Sequence, residues 1–197
     1  MAKYDRHKLI AAIDQGECFE YLLFYGHKVS EDGSITDSCL SQWYPATFKI
    51  DDVSYKTAEQ FMMAQKARLF GDEDMLDKIL QCQTPKEAKA YGRKVQNFVD
   101  EKWKEHCSQI VVAANQAKFS QNPELAKYLL STEPHVLVEA SLWDRIWGIG
   151  MAKSNTKALD PKQWKGQNLL GFALMEVRDE LCKQWSPSPQ NQKPQRL

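Results

Sequence analysis

The chain has 197 residues, 43% of them hydrophobic, which suits one domain with a sizeable core and argues against wholesale disorder. Its 26 basic and 26 acidic residues balance, so the broad basic surface of a general nucleic-acid binder is not expected, whereas a local phosphate pocket remains compatible. Five cysteines (Cys18, Cys39, Cys82, Cys107, Cys182) form no CxxC pair and four histidines (His7, His27, His106, His135) show no metal-ligand spacing, so neither a disulfide framework nor a zinc site is expected.

The first stretch, MAKYDRHKLIAAIDQGE, is charged and lacks a long apolar run, which does not fit a signal peptide. No segment approaches the length of a bilayer span. The expectation is a soluble, cytoplasmic protein with no membrane partner. Lys3 to Gln15 reads as an amphipathic helix outside the main domain. CFEYLLFYGHK reads as a strand, with Phe19, Tyr21 and Leu23 alternating with Glu20 and Leu22. SEDGSITDS is a polar loop, and TFKIDDVSYKT a hairpin turning at Asp51-Asp52.

Helices follow. Thr57 can cap the first, with Gln60 completing a capping box and Gly71 closing it. A second starts after Asp72, and a third at Thr84-Pro85 with Glu87 behind it. A long helix from about Asp100 to Phe119 carries Trp103, Cys107, Ile110, Val111 and Ala114 at helical spacing, and NPELAKYLLST gives another. HVLVEAS is a strand. The last helix, from about Asn168 to Lys183, should bury Leu170, Leu174, Val177 and Leu181. The tail SPSPQNQKPQRL is Pro- and Gln-rich and should be disordered. The fold class expected is α+β: a single, predominantly α-helical domain with a small β-sheet. Residues 1–17 are read as a helical extension, 18–184 as the domain and 185–197 as the tail.

Chemistry concentrates on TAEQFMMAQKARLFG. Ala58, Phe61, Met62, Met63, Leu69 and Phe70 share one arc, with Gln60, Ala64, Ala67 and Arg68 opposite. Glu59 and Lys66 differ by only ~20° around the axis and both fall inside the apolar arc, about 10 Å apart along it. That is too far for a helical ion pair, which needs a spacing of three or four. Two readings fit. Both side chains snorkel from the edge of the apolar face, or partial burial tunes them, raising the carboxyl and lowering the amine toward acid-base and nucleophilic use.

Three other stretches invite chemistry. SLWDRIWGIG sets Asp144 between Trp143 and Trp147, ahead of Gly148; it is either a tryptophan pair with a turn or a platform for a planar base or a sugar. CLSQWYP offers Ser41, Gln42 and Trp43, and YGRKV places Arg93 and Lys94 after a helix end, for solvent or for a phosphate. At Gly166-Gln167-Asn168 the N–H groups of a helix start can bind an anion, or Asn168 simply caps.

Five segments in this order, LSQWYP, YKTAEQFMMAQKA, AKFSQNPELAKYLLST, LVEASLWDRIWGIG and GQNLLGFALMEVRDEL, resemble the NADAR family, which includes bacterial and viral riboflavin-intermediate N-glycosidases. The resemblance covers approximately Phe19 to Leu181. It implies hydrolysis of a bond between ribose C1 and an exocyclic nitrogen of a heterocycle, with no metal or organic cofactor. The substrate it implies is a phosphoribosylamino-pyrimidine intermediate of riboflavin synthesis, or ADP-ribose on guanine, in which case nucleic acid is met only as an ADP-ribosylated substrate. A non-catalytic module that binds ADP-ribose is the alternative from another class. By resemblance Lys66 is the Schiff-base nucleophile, Glu59 the proton shuttle and Asp144 the acid that orients ribose or water. Ser41, Gln42, Trp43, Arg93, Trp147, Gly148 and Asn168 are then substrate-binding. Gln42 and Trp43 replace the Asn and Phe of the family's common SNF form.

Overall fold

The computed structural model describes residues 3–185, so the expected disorder of the tail lies outside the described residues. The chain opens with α1 (Arg6–Asp14) and β1 (Tyr21–Phe24), then a 3-10 turn at Asp37–Leu40. A hairpin follows, β2 (Phe48–Ile50) and β3 (Val53–Tyr55). Four helices come next, α2 (Ala58–Phe70), α3 (Glu73–Gln81), α4 (Pro85–Gly92) and α5 (Asp100–Ser120). The chain finishes with α6 (Pro123–Ser131), β4 (Val136–Glu139), 3-10 turns at Thr156–Leu159 and Pro161–Gln163, and α7 (Leu169–Trp185). This is an α+β domain dominated by helices, with strands in two pairs.

The local signals act where they were expected. Asp51 and Asp52 both take positive φ, 49° and 62°, the geometry of a two-residue hairpin turn, which Asp tolerates better than most residues. The Thr57 side chain accepts from the Gln60 N–H, and Gly71 closes α2 in the left-handed region at φ 69°. Thr84 and Glu87 form a full capping box on α4, with Pro85 at its first turn.

Three expectations change. Gln60 does not reach back to Thr57: its Oε1 accepts from Lys56 N and its amide donates to the carbonyls of Ile79 and Leu80, so it ties α2 to the end of α3. The two-sided reading of α2 also fails, because Gln60, Ala64 and Ala67 are buried along with the apolar arc. The helix packs against α3, α4 and α5, and a helix covered on several sides needs no polar face. The first strand is shorter than CFEYLLFYGHK and does not alternate: Tyr21, Leu22 and Leu23 are all half-buried and Phe24 is fully buried.

That loss of alternation follows from topology. β1 pairs with β4 in parallel, Tyr21 opposite Val136 through Phe24 opposite Glu139, and α7 packs against β4. Parallel strands covered by helices read as continuous apolar runs, as YLLF and VLV do. α7 buries Leu170, Leu174, Val177 and Leu181, as its spacing required. α1 is docked on the domain. Leu9 is buried, Arg6 donates to the carbonyls of Pro161 and Lys162, and the Tyr4 hydroxyl donates to Asp179.

Candidate active site

The cap at Thr57 places Glu59 in the first turn of α2, where its backbone N–H donates to the Gln42 carbonyl at 3.0 Å. This bond fixes the start of the helix against the 41–43 loop. Two α5 side chains hold that loop from behind. The fully buried Lys118 ammonium donates to the carbonyls of Cys39 (2.6 Å) and Ser41 (2.9 Å), and Asn115 donates to Gln42 Oε1 (2.8 Å). With Gln42 turned inward, Ser41 and Trp43 on either side of it face a cavity of about 940 Å³.

The second wall is β4 and the loop after it. Asp144 Oδ1 accepts from the N–H groups of Ile146 (2.9 Å) and Trp147 (2.7 Å), which winds the loop tightly around the carboxylate. At Gly148 an added Cβ would meet the Glu139 carbonyl at 2.8 Å, so this glycine serves a close approach of the loop to β4. α4 adds Lys89 and, at the cap that ends it, Arg93 four residues on, and α5 adds Trp103.

Glu59, Lys66 and Asp144 all line this one cavity, with Ser41, Trp43, Arg93 and Trp147. Glu59 is only 5% exposed. Burial pushes its carboxyl up, with Asp144 adding to the rise, while Lys89, a hydrogen bond from the Trp43 indole and Arg93 pull it down. Lys66 is half-buried with its ammonium 4.2 Å from the Phe98 ring centre and 5.6 Å from that of Trp103. Among the described residues no carboxylate lies within ion-pair distance of it. Burial therefore lowers its proton affinity without an anion to restore it.

Three expected contacts lie elsewhere. Gln42, Gly148 and Asn168 are not among the cavity-lining residues. Gln42 Oε1 accepts from Asn115 while its Nε2 is buried without a hydrogen-bond partner among the described residues, and Gly148 serves the approach to Glu139. Asn168 is fully buried at φ 57°, where its Nδ2 donates to the Leu137 carbonyl and its Oδ1 accepts from the Glu139 N–H, both at 2.9 Å. Its amide thus imitates a neighbouring strand on the edge of β4 that β1 leaves open. The anion site at the start of α7 also fails: the N–H groups of Gln167, Asn168, Leu169 and Leu170 donate to the carbonyls of Arg145, Gly148, Ile146 and Trp147. A helix start whose amides are already paired has none to offer a ligand.

Several lining residues escaped the sequence reading. Lys89 had a signal, its four-residue spacing from Arg93 on a helix. Glu139 had another, a carboxylate ending the buried run VLV. Tyr25, His27, Ser141 and Arg145 had none, because a loop residue's facing is set by what packs behind it. Among the described residues there is no group of three or more His, Cys, Asp or Glu side chains that could hold a metal ion, and no helix long and apolar enough to cross a membrane.

The NADAR domain family model matches residues 23–182. The chain is 41% identical over 169 residues to N-glycosidase R617 of Acanthamoeba polyphaga mimivirus, covering 83% of this chain and 98% of the relative. It is 34% identical over 134 residues to N-glycosidase YbiA of Escherichia coli (strain K12), covering 68% and 75%. The NMR structure of the E. coli protein YbiA superposes with a TM-score of 0.69 at 29% identity, covering 88% of this chain and 92% of that one. The site just described is thus carried by a fold and a sequence shared with these proteins, and the chain belongs to the NADAR domain family.

Proposed function

We propose that the protein is an N-glycosidase that hydrolyses the bond between C1 of a ribose and an exocyclic nitrogen of a flat heterocycle. The observation that carries this reading is the pairing, in one cavity, of an amine without an ion-pair partner and a buried carboxyl two turns away, Lys66 and Glu59, facing Asp144 and the rings of Trp43 and Trp147. The names of the relatives support the same reaction class.

The chemistry follows from the placement of these groups, burial raising the Glu59 carboxyl and lowering the Lys66 ammonium. Glu59 protonates the ring oxygen as the C1–O bond breaks, and the lone pair of the exocyclic nitrogen forms an iminium at C1. The deprotonated Lys66 amine, a form that burial favours, adds to C1, and the extra proton on its nitrogen returns to the Glu59 carboxylate. Loss of the heterocyclic amine leaves a Schiff base between Lys66 and the sugar, which water hydrolyses. Asp144, its Oδ1 fixed by two backbone amides, orients the ribose hydroxyls or the water.

The substrate we favour is a phosphoribosylamino-pyrimidine of riboflavin synthesis. The net-neutral chain has no general need of a polyanion, yet Lys28, Lys89, Arg93 and Arg145 gather around this cavity, where a single phosphate can be held. One observation favours the second reading, ADP-ribose on guanine: Trp143 at the cavity is 85% exposed and Ile146 54%, an apolar surface on which a further base can stack.

Borohydride reduction during turnover should trap a sugar on the wild-type protein, and Lys66→Ala should lose both the adduct and turnover while keeping its fold. Turnover without an adduct would move the chemistry to Glu59 and Asp144 as a two-carboxylate pair. ADP-ribose binding without release of base, unaffected by Lys66→Ala, would make the protein a binding module. Incubation with each substrate separately, followed by chromatography of the released base, decides between them.

A further inference from the structure

We propose that Glu139 is a third catalytic group, the acid that hands a proton to the departing heterocyclic amine. The inference rests on the N-glycosidase reading above and adds a residue to it.

Glu139 ends β4 at the cavity wall, and its backbone is held on the open edge of the strand. Its N–H donates to Asn168 Oδ1 and its carbonyl accepts from the Ile149 N–H, both at 2.9 Å. The side chain is therefore launched into the cavity from a fixed point. Its Oε2 is out of contact with solvent and has no hydrogen-bond partner among the described residues. A buried carboxyl oxygen without a protein partner is uncommon and costly. On a cavity wall, a bound substrate is within reach of such an oxygen.

The charges around it decide which proton state it brings. Asp144 faces it from the following loop, Glu59 from α2 and Lys89 from α4. Burial and the two acids hold the proton on Glu139 up to about 8, against the pull of Lys89. At neutral pH it is a hydrogen-bond donor with a transferable proton.

The reaction has one step in need of such a group. Once Lys66 has added to C1, the sugar carbon carries two neutral nitrogens. The bond from C1 to the heterocyclic nitrogen breaks with its electron pair going to that nitrogen, which takes the proton from Glu139. The products are a neutral heterocyclic amine, a protonated Lys66 Schiff base and the Glu139 carboxylate. That carboxylate takes a proton from the water that attacks C1, which restores the acid. The carbinolamine hydroxyl proton then passes to the Lys66 nitrogen as the sugar leaves as its aldehyde. Glu59 remains the partner of the ring oxygen.

The test uses Glu139→Gln, of the same volume but without a transferable proton, on the full chain with two probes: the N-ribosyl 5-phosphates of aniline and of 4-nitroaniline. For the aniline riboside the variant should lose about 10²–10⁴-fold in kcat, the range of general acid catalysis. For the 4-nitroaniline riboside, whose amine departs with little help, the loss should be at least about tenfold smaller. In the wild type kcat/KM should fall as pH rises through about 8, since the protonated acid is required, and this limb should vanish in the variant. Glu139→Asp, which keeps a proton on a shorter arm, should recover part of the rate. Calorimetry with ribose 5-phosphate should show unchanged binding. Equal losses on both probes with the basic limb intact would make Glu139 a positioning residue and overturn the proposal, as would an unimpaired variant. Wild-type inactivity on both probes and on the phosphoribosylamino-pyrimidine and ADP-ribosyl-guanine substrates would remove the N-glycosidase reading itself, a different result from an active wild type with an unimpaired variant.

Discussion

Asn168→Ala tests whether a buried amide can substitute for a strand. The side chain donates to Leu137 O and accepts from Glu139 N, both at 2.9 Å, from a fully buried position. Truncation leaves a donor and an acceptor without their partner, at about 1–3 kcal/mol each. Alanine must also hold the left-handed φ of 57°, at roughly 1 kcal/mol more. The expected loss is therefore about 3–7 kcal/mol, a large part of the 5–15 kcal/mol that typically holds a domain together. Asn168→Gly accepts that φ and should be roughly 1 kcal/mol less damaging than alanine. Urea unfolding followed by far-ultraviolet circular dichroism gives both values, read from midpoints at constant slope. An alanine variant within about 1 kcal/mol of wild type would show that the amide carries nothing. A rise in KM with stability intact would instead put Asn168 against substrate, as the sequence had implied.

Other expectations follow from the same geometry. Burial lowers the Lys118 ammonium to about 8, below its ordinary value, so between about pH 8 and 10.5 the unfolded chain binds more protons and stability rises with pH by up to roughly 3 kcal/mol; Lys118→Met should flatten that rise in denaturation curves and, by freeing the 39–43 loop, lower activity at pH 7. Glu59 is held above the ordinary carboxylate range, so its contribution to stability is present below that range and lost as pH rises through its folded value. Glu59→Gln should unfold like wild type near pH 4, gain on it toward neutrality, and be inactive. Trp143→Ala should change stability by no more than about 0.5 kcal/mol, given the exposure of the side chain. In steady-state kinetics it should raise KM for an ADP-ribosyl substrate far more than for a phosphoribosyl one if the exposed ring stacks a second base. Gly171→Ala should be severe, because its Cβ would sit 2.0 Å from the Leu137 carbonyl and 2.6 Å from Asn168 Nδ2; a stable variant in a melting experiment would contradict that packing.

What could be read in advance was whatever a few neighbouring residues decide among themselves. Thr57 and Gly71 bound α2, Asp51-Asp52 turn the hairpin, and Thr84, Pro85 and Glu87 start α4. Helical geometry also set Glu59 and Lys66 on a common face, and both reach the same cavity. The opposite face of α2 was misread because its burial depends on α3, α4 and α5, which are distant in sequence or undecided in orientation. Gln42 and Asn168 were assigned to substrate for a related reason. A polar side chain in a motif is equally suited to a ligand and to a protein partner, and only the chain packed behind it, Asn115 against Gln42 Oε1 and β4 against Asn168, shows the contacts it makes. Glu139 was overlooked because a strand sequence does not say which end meets a cavity.

The parallel union of β1 with β4 joins opposite ends of the domain. An emerging polypeptide therefore carries Lys66 on a nearly finished α2 long before the strand ending in Glu139 has been made. The rings beside that lysine, Phe98 and Trp103, also precede the strand, whereas Glu139 and Asp144 arrive after it. A fragment ending before residue 136 therefore carries Lys66 and Glu59 but lacks Glu139 and Asp144, the acids that line the other wall of the cavity.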